Sequence, residues 1–402
     1  MHFDLFVNPR ALPTIEPDAT IGPRPIEYHR MMPGYLQTPL LDAPRIAERL
    51  GVARVLVKDE STRLGLPSFK MLGASWATAY AVRKQWLDGE EAMLSPEQLR
   101  ENISNREQKR LVAATDGNHG RGVARMAKLL GVASTIFVPQ GTAETRIADI
   151  RGEGAEVHVV DGSYDDAIRV AADKADENTI VISDTSWEGY VEIPTEVSRG
   201  YSTLFREVDE ALELVALGRP TVVAFQAGVG SFAAAGLMHY RSADAPDVPR
   251  TVIVEPSSAN CLLASARAGT LTEAPPPHES KMAGLNCGLP SQLAWPIIDQ
   301  TTDVFIAIDD DAANEAMRAY AVSGIVAGES GAASLAGLIA VADSGDDEKR
   351  AQAGLTADAV VLLINTEWAT DPINYAEVVG ESPHTVEREM NARRRESGVI
   401  EL

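Results

Sequence analysis

Nine short runs of β-branched and apolar residues, spaced by longer helical patterns, constrain the fold of this 402-residue chain more than any other feature. They are "ARVLVK" (53–58), "RLVAAT" (110–115), "STIFV" (134–138), "EVHVV" (156–160), "TIVIS" (179–183), "TVVAFQ" (221–226), "TVIVE" (251–255), "DVFIAI" (303–308) and "VVLLI" (360–364). Most are apolar throughout rather than alternating, the pattern of strands buried on both faces. Between them lie segments such as "GRGVARMAKLLG" and "DDDAANEAMRAYAVSG". The combination predicts an α/β protein with two mostly parallel twisted sheets, each with helices on both faces.

At about 100–200 residues per domain, the length suggests two or three domains, and so many strands favour two. A compact strand–helix rhythm punctuated by Gly131, Gly152 and Gly154 predicts a small α/β domain over 70–190. Residues 1–69 and 191–402 then form a larger one. "EAPPPHES" (273–280) reads as a loop, because consecutive prolines deny helix and central strand. The acidic stretch 88–107 reads as a solvated insertion, and the basic tail "NARRRESGVIEL" as a solvated helix end.

The formal net charge of −22 repels phosphate backbones and argues against nucleic acid as a partner. Only two cysteines, Cys261 and Cys287, are present. That is neither a disulfide framework nor a metal knuckle, and it fits a reducing compartment. The N-terminus lacks the pattern of a secretory leader, and no apolar run reaches the ~18 residues of a membrane span. The expectation is a cytoplasmic protein with no membrane partner and no metal.

Two segments invite a ligand. "AFQAGVGSFAAAG" places Gly228, Val229, Gly230 and Ser231 between a strand and a small-residue helix. Backbone N–H groups there suit a phosphate. The same letters satisfy a relaxed dinucleotide fingerprint, with Glu255 as the ribose-binding acid of a nicotinamide oxidoreductase, or serve a plain turn. The second is "ATDGNHGRG" (114–122), another pair of glycines after a strand. Its Asp116 is unexpected beside an anion and could be a helix N-cap.

Lys70, in "LPSFKMLGA", starts a helical run among apolar neighbours. The positive end of the helix dipole and desolvation both favour a neutral, nucleophilic amine able to form a Schiff base. A snorkelling lysine is the ordinary alternative. "INTEWATDP" (364–372) sets Thr366 at the C-terminal end of the last strand, where open α/β sheets bind ligands; a turn hydroxyl reads the same way.

Taken together, these segments resemble the fold-type II pyridoxal phosphate enzymes, the tryptophan synthase β-like superfamily. "VLVKDESTRLGLPSFKMLGA" is similar to the cofactor-lysine segment, "DGNHGRG" to the asparagine loop and "GVGS" to the phosphate loop, in the family's order along the chain. The resemblance implies that Lys70 carries pyridoxal phosphate and that Phe69 flanks its ring. It also implies that Asn118 bonds the phenolic oxygen, that Gly228 to Ser231 hold the phosphate in the larger domain, and that Thr366 faces the pyridine nitrogen.

Serine and threonine dehydratases of this family usually carry serine where Asp116 stands. With "SDTSWEGYVEIP", "KMAGLNCGLPS" and "GESGA", the chain is more similar to the diaminopropionate ammonia-lyase family. That resemblance implies α,β-elimination of D- or L-2,3-diaminopropionate to pyruvate and two ammonia. Lys70 and Asp116 would act as bases on opposite faces, and Asp184 is the family's second aspartate. It also implies a homodimer. Carboxylates suit a substrate whose β-amino group is cationic, and a desolvated aspartate is expected to have a raised pKa. A dehydratase or another lyase of β-substituted amino acids is the alternative. His119 and Glu329 are candidates for support of the site, Cys287 for packing. Trp368 is bulkier than the small residue expected after the Thr-Glu pair.

Overall fold

The computed structural model describes residues 2–16, 24–89, 91–106, 108–115, 117–245 and 247–402. Among these, twelve strands run in chain order: β1 (Phe3–Val7), β2 (Leu40–Asp42), β3 (Arg54–Asp59), β4 (Arg110–Ala114), β5 (Ala133–Pro139), β6 (Glu156–Val160), β7 (Thr179–Val181), β8 (Val222–Gln226), β9 (Arg250–Pro256), β10 (Val304–Ile308), β11 (Val360–Asn365) and β12 (Ile400–Glu401). The chain divides into two compact units. One comprises residues 1–19, 37–62 and 204–402; the other comprises 20–36 and 63–203.

The larger unit is built on a sheet ordered β1-β10-β9-β8-β11-β3-β2-β12. Its five central strands, β10, β9, β8, β11 and β3, are parallel. β8 is buried at every position, as expected of a strand covered on both faces. The outer strands pair antiparallel, β1 with β10, and β2 with both β3 and β12. Helix Glu329–Asp343 is buried from Glu329 to Val341 and packs small residues into one core with β8, β9, β10 and β11. The two-sheet α/β architecture read from the sequence is thus the observed one.

The smaller unit carries a four-stranded, wholly parallel sheet ordered β6-β5-β4-β7. Helix Lys70–Trp86 crosses helix Glu192–Gly200 at glycine. A Cβ on Gly73 would lie 2.5 Å from the Tyr201 ring, and one on Gly200 2.6 Å from the Leu72 carbonyl oxygen. The crossing brings the lysine-bearing helix in at backbone distance.

One local expectation is corrected and another is refined. The acidic insertion contains helix Pro96–Ile103, opened by a capping box between Ser95 and Gln98, with Leu99 and Ile103 buried. An apolar pair on one face pays for that order. The basic tail is a helix, Pro383–Ser397, ended by left-handed Gly398 and followed by β12. Arg394 is drawn inward, 3.6 Å from buried Asp59.

Candidate functional site

In the smaller unit, β4 and β7 are neighbours, with Val112 opposite Val181. The residues just past their C-terminal ends, Thr115 and Ile182–Asp184, therefore emerge side by side, at the edge where parallel sheets present ligand-binding groups. Thr115 Oγ1 accepts from the N–H groups of Gly117 (2.9 Å) and Gly120 (3.0 Å), fixing the loop that leads into helix Asn118–Leu130. Asn118 opens that helix. Asp116 lies outside the described residues.

Lys70 is the first residue of its helix. Its Nζ donates to Asp184 Oδ2 at 2.7 Å and sits 5.6 Å over the Phe69 ring. Phe69 in turn packs on Tyr201, ring centroids 4.7 Å apart. Tyr164 donates to the other Asp184 oxygen at 3.3 Å. His119 is buried; its Nε2 meets the Ile182 carbonyl at 2.9 Å, and its Nδ1 faces Asp184 Oδ2 at 3.9 Å. A carbonyl only accepts, so Nε2 carries the proton.

Burial pushes the Asp184 carboxyl up, but the charges of Lys70 and His119 and the hydrogen bonds from Lys70 and Tyr164 outweigh it. They hold the group well below the usual carboxylate range. The raised pKa expected for a desolvated aspartate is therefore not found at Asp184. Its partner Lys70 stands 114 residues away in sequence, and the attraction exceeds the desolvation cost.

In the larger unit, the glycine loop follows β8. Gly230 has φ +97° and caps helix Ser231–Arg241 with no side-chain hydrogen bond. A helix of this length, opened by glycine and uncapped by a side chain, presents backbone N–H groups to an anion. Thr366 follows β11 and is buried; its Oγ1 accepts from Gln226 Nε2 at 2.8 Å. Glu255 does not serve as a ribose-binding acid. It is wholly buried, and its two oxygens accept the N–H groups of Leu262 and Leu263, each at 2.8 Å. Burial pushes this carboxyl up to about 8, against those two hydrogen bonds. It caps helix Cys261–Ala268 from within the core, which removes the main support for the nicotinamide reading.

The residues held for caution find plain places. Glu329, buried at a helix start, accepts from Asn374 Nδ2. The Trp368 ring packs against the core and His384, centroids 5.1 Å apart. Cys287 is half-buried and not disulfide-bonded. Tyr164 and Gln226 were not singled out from the sequence. Gln226 had a signal, a polar residue ending an otherwise apolar parallel strand; Tyr164, at the start of a surface helix, had none.

The amine at a helix start in the smaller unit, and the glycine-opened helix start and buried hydroxyl in the larger, are each of a kind that suits one part of a phosphorylated aldehyde cofactor. The chain belongs to the pyridoxal-phosphate dependent enzyme family, which it matches over residues 31–367. It is 39% identical over 368 residues to the diaminopropionate ammonia-lyase of Escherichia coli (strain K12), covering 90% of this chain and 91% of that protein. Two solved structures of the Escherichia coli diaminopropionate ammonia lyase, both 35% identical to this chain, superpose closely. One is in complex with an aminoacrylate-PLP azomethine reaction intermediate (TM-score 0.84, 94% of this chain and 97% of that one). The other is in complex with D-serine (TM-score 0.85, 96% and 98%).

The residues present fit pyridoxal phosphate. The uncapped helix start at Gly230 suits a phosphate, Lys70 suits an aldehyde, and a hydroxyl at Thr366 suits a ring nitrogen. No helix among the described residues is long and apolar enough to cross a membrane.

Proposed function

We propose that this chain catalyses the elimination of ammonia from 2,3-diaminopropionate, which with one water gives pyruvate and two ammonia. The observation that carries the reading is the Lys70–Asp184 pair: a basic amine held 2.7 Å from a buried carboxylate that stays ionised. A carboxylate at that position attracts the cationic β-amino group of this substrate once Lys70 is engaged with the cofactor. A serine hydroxyl gains nothing comparable from it.

When bound, pyridoxal phosphate supplies the electron sink for the charge left at Cα. The N–H groups of Gly228, Val229, Gly230 and Ser231 would hold its phosphate, and Asn118, Phe69 and Thr366 would serve its phenolic oxygen, ring and nitrogen in turn. Lys70 carries the cofactor and takes the Cα proton of the L-substrate; Asp116 takes that of the D-substrate. Asp184 orients the leaving ammonia, while Tyr164 and His119 keep its carboxylate aimed. The larger unit acts as the cofactor-binding domain, and the enzyme works as a cytoplasmic homodimer.

The test is a panel of D- and L-amino acids assayed for keto acid and ammonia with purified holoenzyme. Diaminopropionate should be turned over far faster than serine or threonine. Equal or reversed rates would sink the assignment and favour a dehydratase or another β-substituted amino acid lyase.

A further inference from the structure

Gln226 ends β8 inside the core, 2% exposed. Its Nε2 lies 2.8 Å from Thr366 Oγ1, 2.9 Å from the Ile364 carbonyl oxygen and 3.3 Å from the Gly331 carbonyl oxygen. Which end of an amide is nitrogen is ordinarily a matter of inference. Here two backbone carbonyls, which can only accept, face the same end, so that end is the NH2 group. Its two hydrogens serve the two shorter contacts. Thr366 Oγ1 is thus an acceptor from Gln226, and the hydroxyl's single proton must point to something else. The carbonyl end, Oε1, is buried with no hydrogen-bond partner among the described residues. The amide is placed to donate at its other end rather than to satisfy both.

We infer that Gln226 is a positioning residue: by occupying one of the two Thr366 lone pairs and turning the hydroxyl proton away from the amide, it favours that hydroxyl as a donor towards the pyridine nitrogen of the cofactor and so favours the unprotonated nitrogen. This rests on the reading above that Thr366 faces the nitrogen. A neutral pyridine nitrogen can only accept; a protonated one can only donate, and two donors face to face repel. The preference does not come from threonine alone, because an unrestrained hydroxyl could turn to accept. The amide narrows that choice, because the hydroxyl proton cannot point at a group that is itself donating to Oγ1. An unprotonated ring withdraws charge from Cα less completely, which favours prompt loss of the β-group over proton return elsewhere on the cofactor.

The experiment reconstitutes the apoprotein with pyridoxal phosphate labelled with ¹⁵N in the ring and records the nitrogen resonance of substrate-free holoenzyme. The wild type should show a neutral, hydrogen-bonded nitrogen; a protonated one overturns the inference. Thr366→Val should move the signal towards that of a neutral nitrogen without a hydrogen bond, and Thr366→Ser should leave it in place. Gln226→Met should move it in the same direction as Thr366→Val. If Thr366→Val shifts the signal and Gln226→Met does not, Gln226 has no such role. If Thr366→Val itself changes nothing, the placement of Thr366 is wrong and the inference falls with it. Should Gln226→Met not fold, Gln226→Glu keeps the shape and exchanges donor for acceptor; an unmoved resonance in that variant likewise overturns the inference.

Discussion

The two units equip their candidate residues with opposite physics. The smaller one works with formal charge: Lys70 lies 2.7 Å from Asp184, and the His119 ring lies 3.9 Å from the same carboxylate. The larger one works with neutral dipoles: a glycine-opened helix start, a threonine hydroxyl and a glutamine amide. Charge placed in a half-buried setting is strong but titratable and unforgiving of a lost partner. Dipoles built into backbone and amides do not titrate, and their failure is geometric. The same chain therefore has one region that should break by losing a charge and one that should break by losing a shape.

The largest effect is expected at the charged pair. Asp184→Asn removes the counter-charge of Lys70 and the anchor for Tyr164, and should cut the elimination rate by roughly 10²–10⁴, the usual range for a positioned acid–base group. The sign of the accompanying pH effect follows from the depressed carboxyl. Its contribution is present above the ordinary carboxylate range and is lost only as pH falls through its lowered value. The wild-type rate should show no titration from Asp184 above about pH 4. A pH–rate profile of wild type and variant checks both; a rate within a few-fold of wild type would show that the charge is ornamental.

A shape failure is expected at Gly230. A Cβ there would sit 2.5 Å from Ile298 Cδ1, on a residue with φ +97°. Backbone strain of about 1–3 kcal/mol would weaken Gly230→Ala's cofactor affinity by about 5- to 150-fold if expressed fully in binding. Equilibrium titration of apoprotein with pyridoxal phosphate measures it. An affinity that instead depended steeply on pH would blur the contrast between the units.

A third effect, on stability rather than on rate or binding, sharpens the comparison by its exception. Glu255 is a titratable group inside the neutral unit, and its raised pKa of about 8 means the folded state holds a proton that the unfolded state gives up. Stability from this group is full below the ordinary glutamate range and is lost as pH rises towards 8, by at most about 1.4 kcal/mol per pH unit. Glu255→Gln should flatten that part of the stability curve in denaturant unfolding between about pH 4.5 and 8. A variant that keeps the wild-type slope would assign it elsewhere.

Most of this was legible in the sequence because parallel strands advertise themselves. Each of the nine apolar runs corresponds to a strand: burial on both faces leaves little room for polar residues in the central ones, whereas β6, at the edge of the smaller sheet, keeps Glu156 and His158 exposed. The strands not anticipated, β1, β2 and β12, are the short antiparallel pieces at the margins of the larger sheet. A half-exposed edge demands no continuous apolar run. Helix Pro96–Ile103 was legible in principle through Ser95 and Gln98, but was masked by the acidic residues around it. The lysine and glycine loops carry their chemistry in contiguous letters. What could not be read is what depends on partners distant in sequence: the ionisation of Asp184 beside Lys70 and Tyr164, and the hydrogen bond that Thr366 accepts from Gln226, 140 residues before it.

The crossing of Gly73 with Gly200 has a consequence for anyone remodelling this catalyst. Both positions lie within a few residues of Lys70 or at the end of the helix packed against it, yet neither bears a functional group, so a library built around the pocket would treat them as spare. With backbone and ring atoms 2.5–2.6 Å from where any Cβ would stand, even alanine acts as a wedge that tilts the helix carrying Lys70. These glycines act as a mechanical stop for the helix that begins at Lys70, and they are best left alone while other positions are varied.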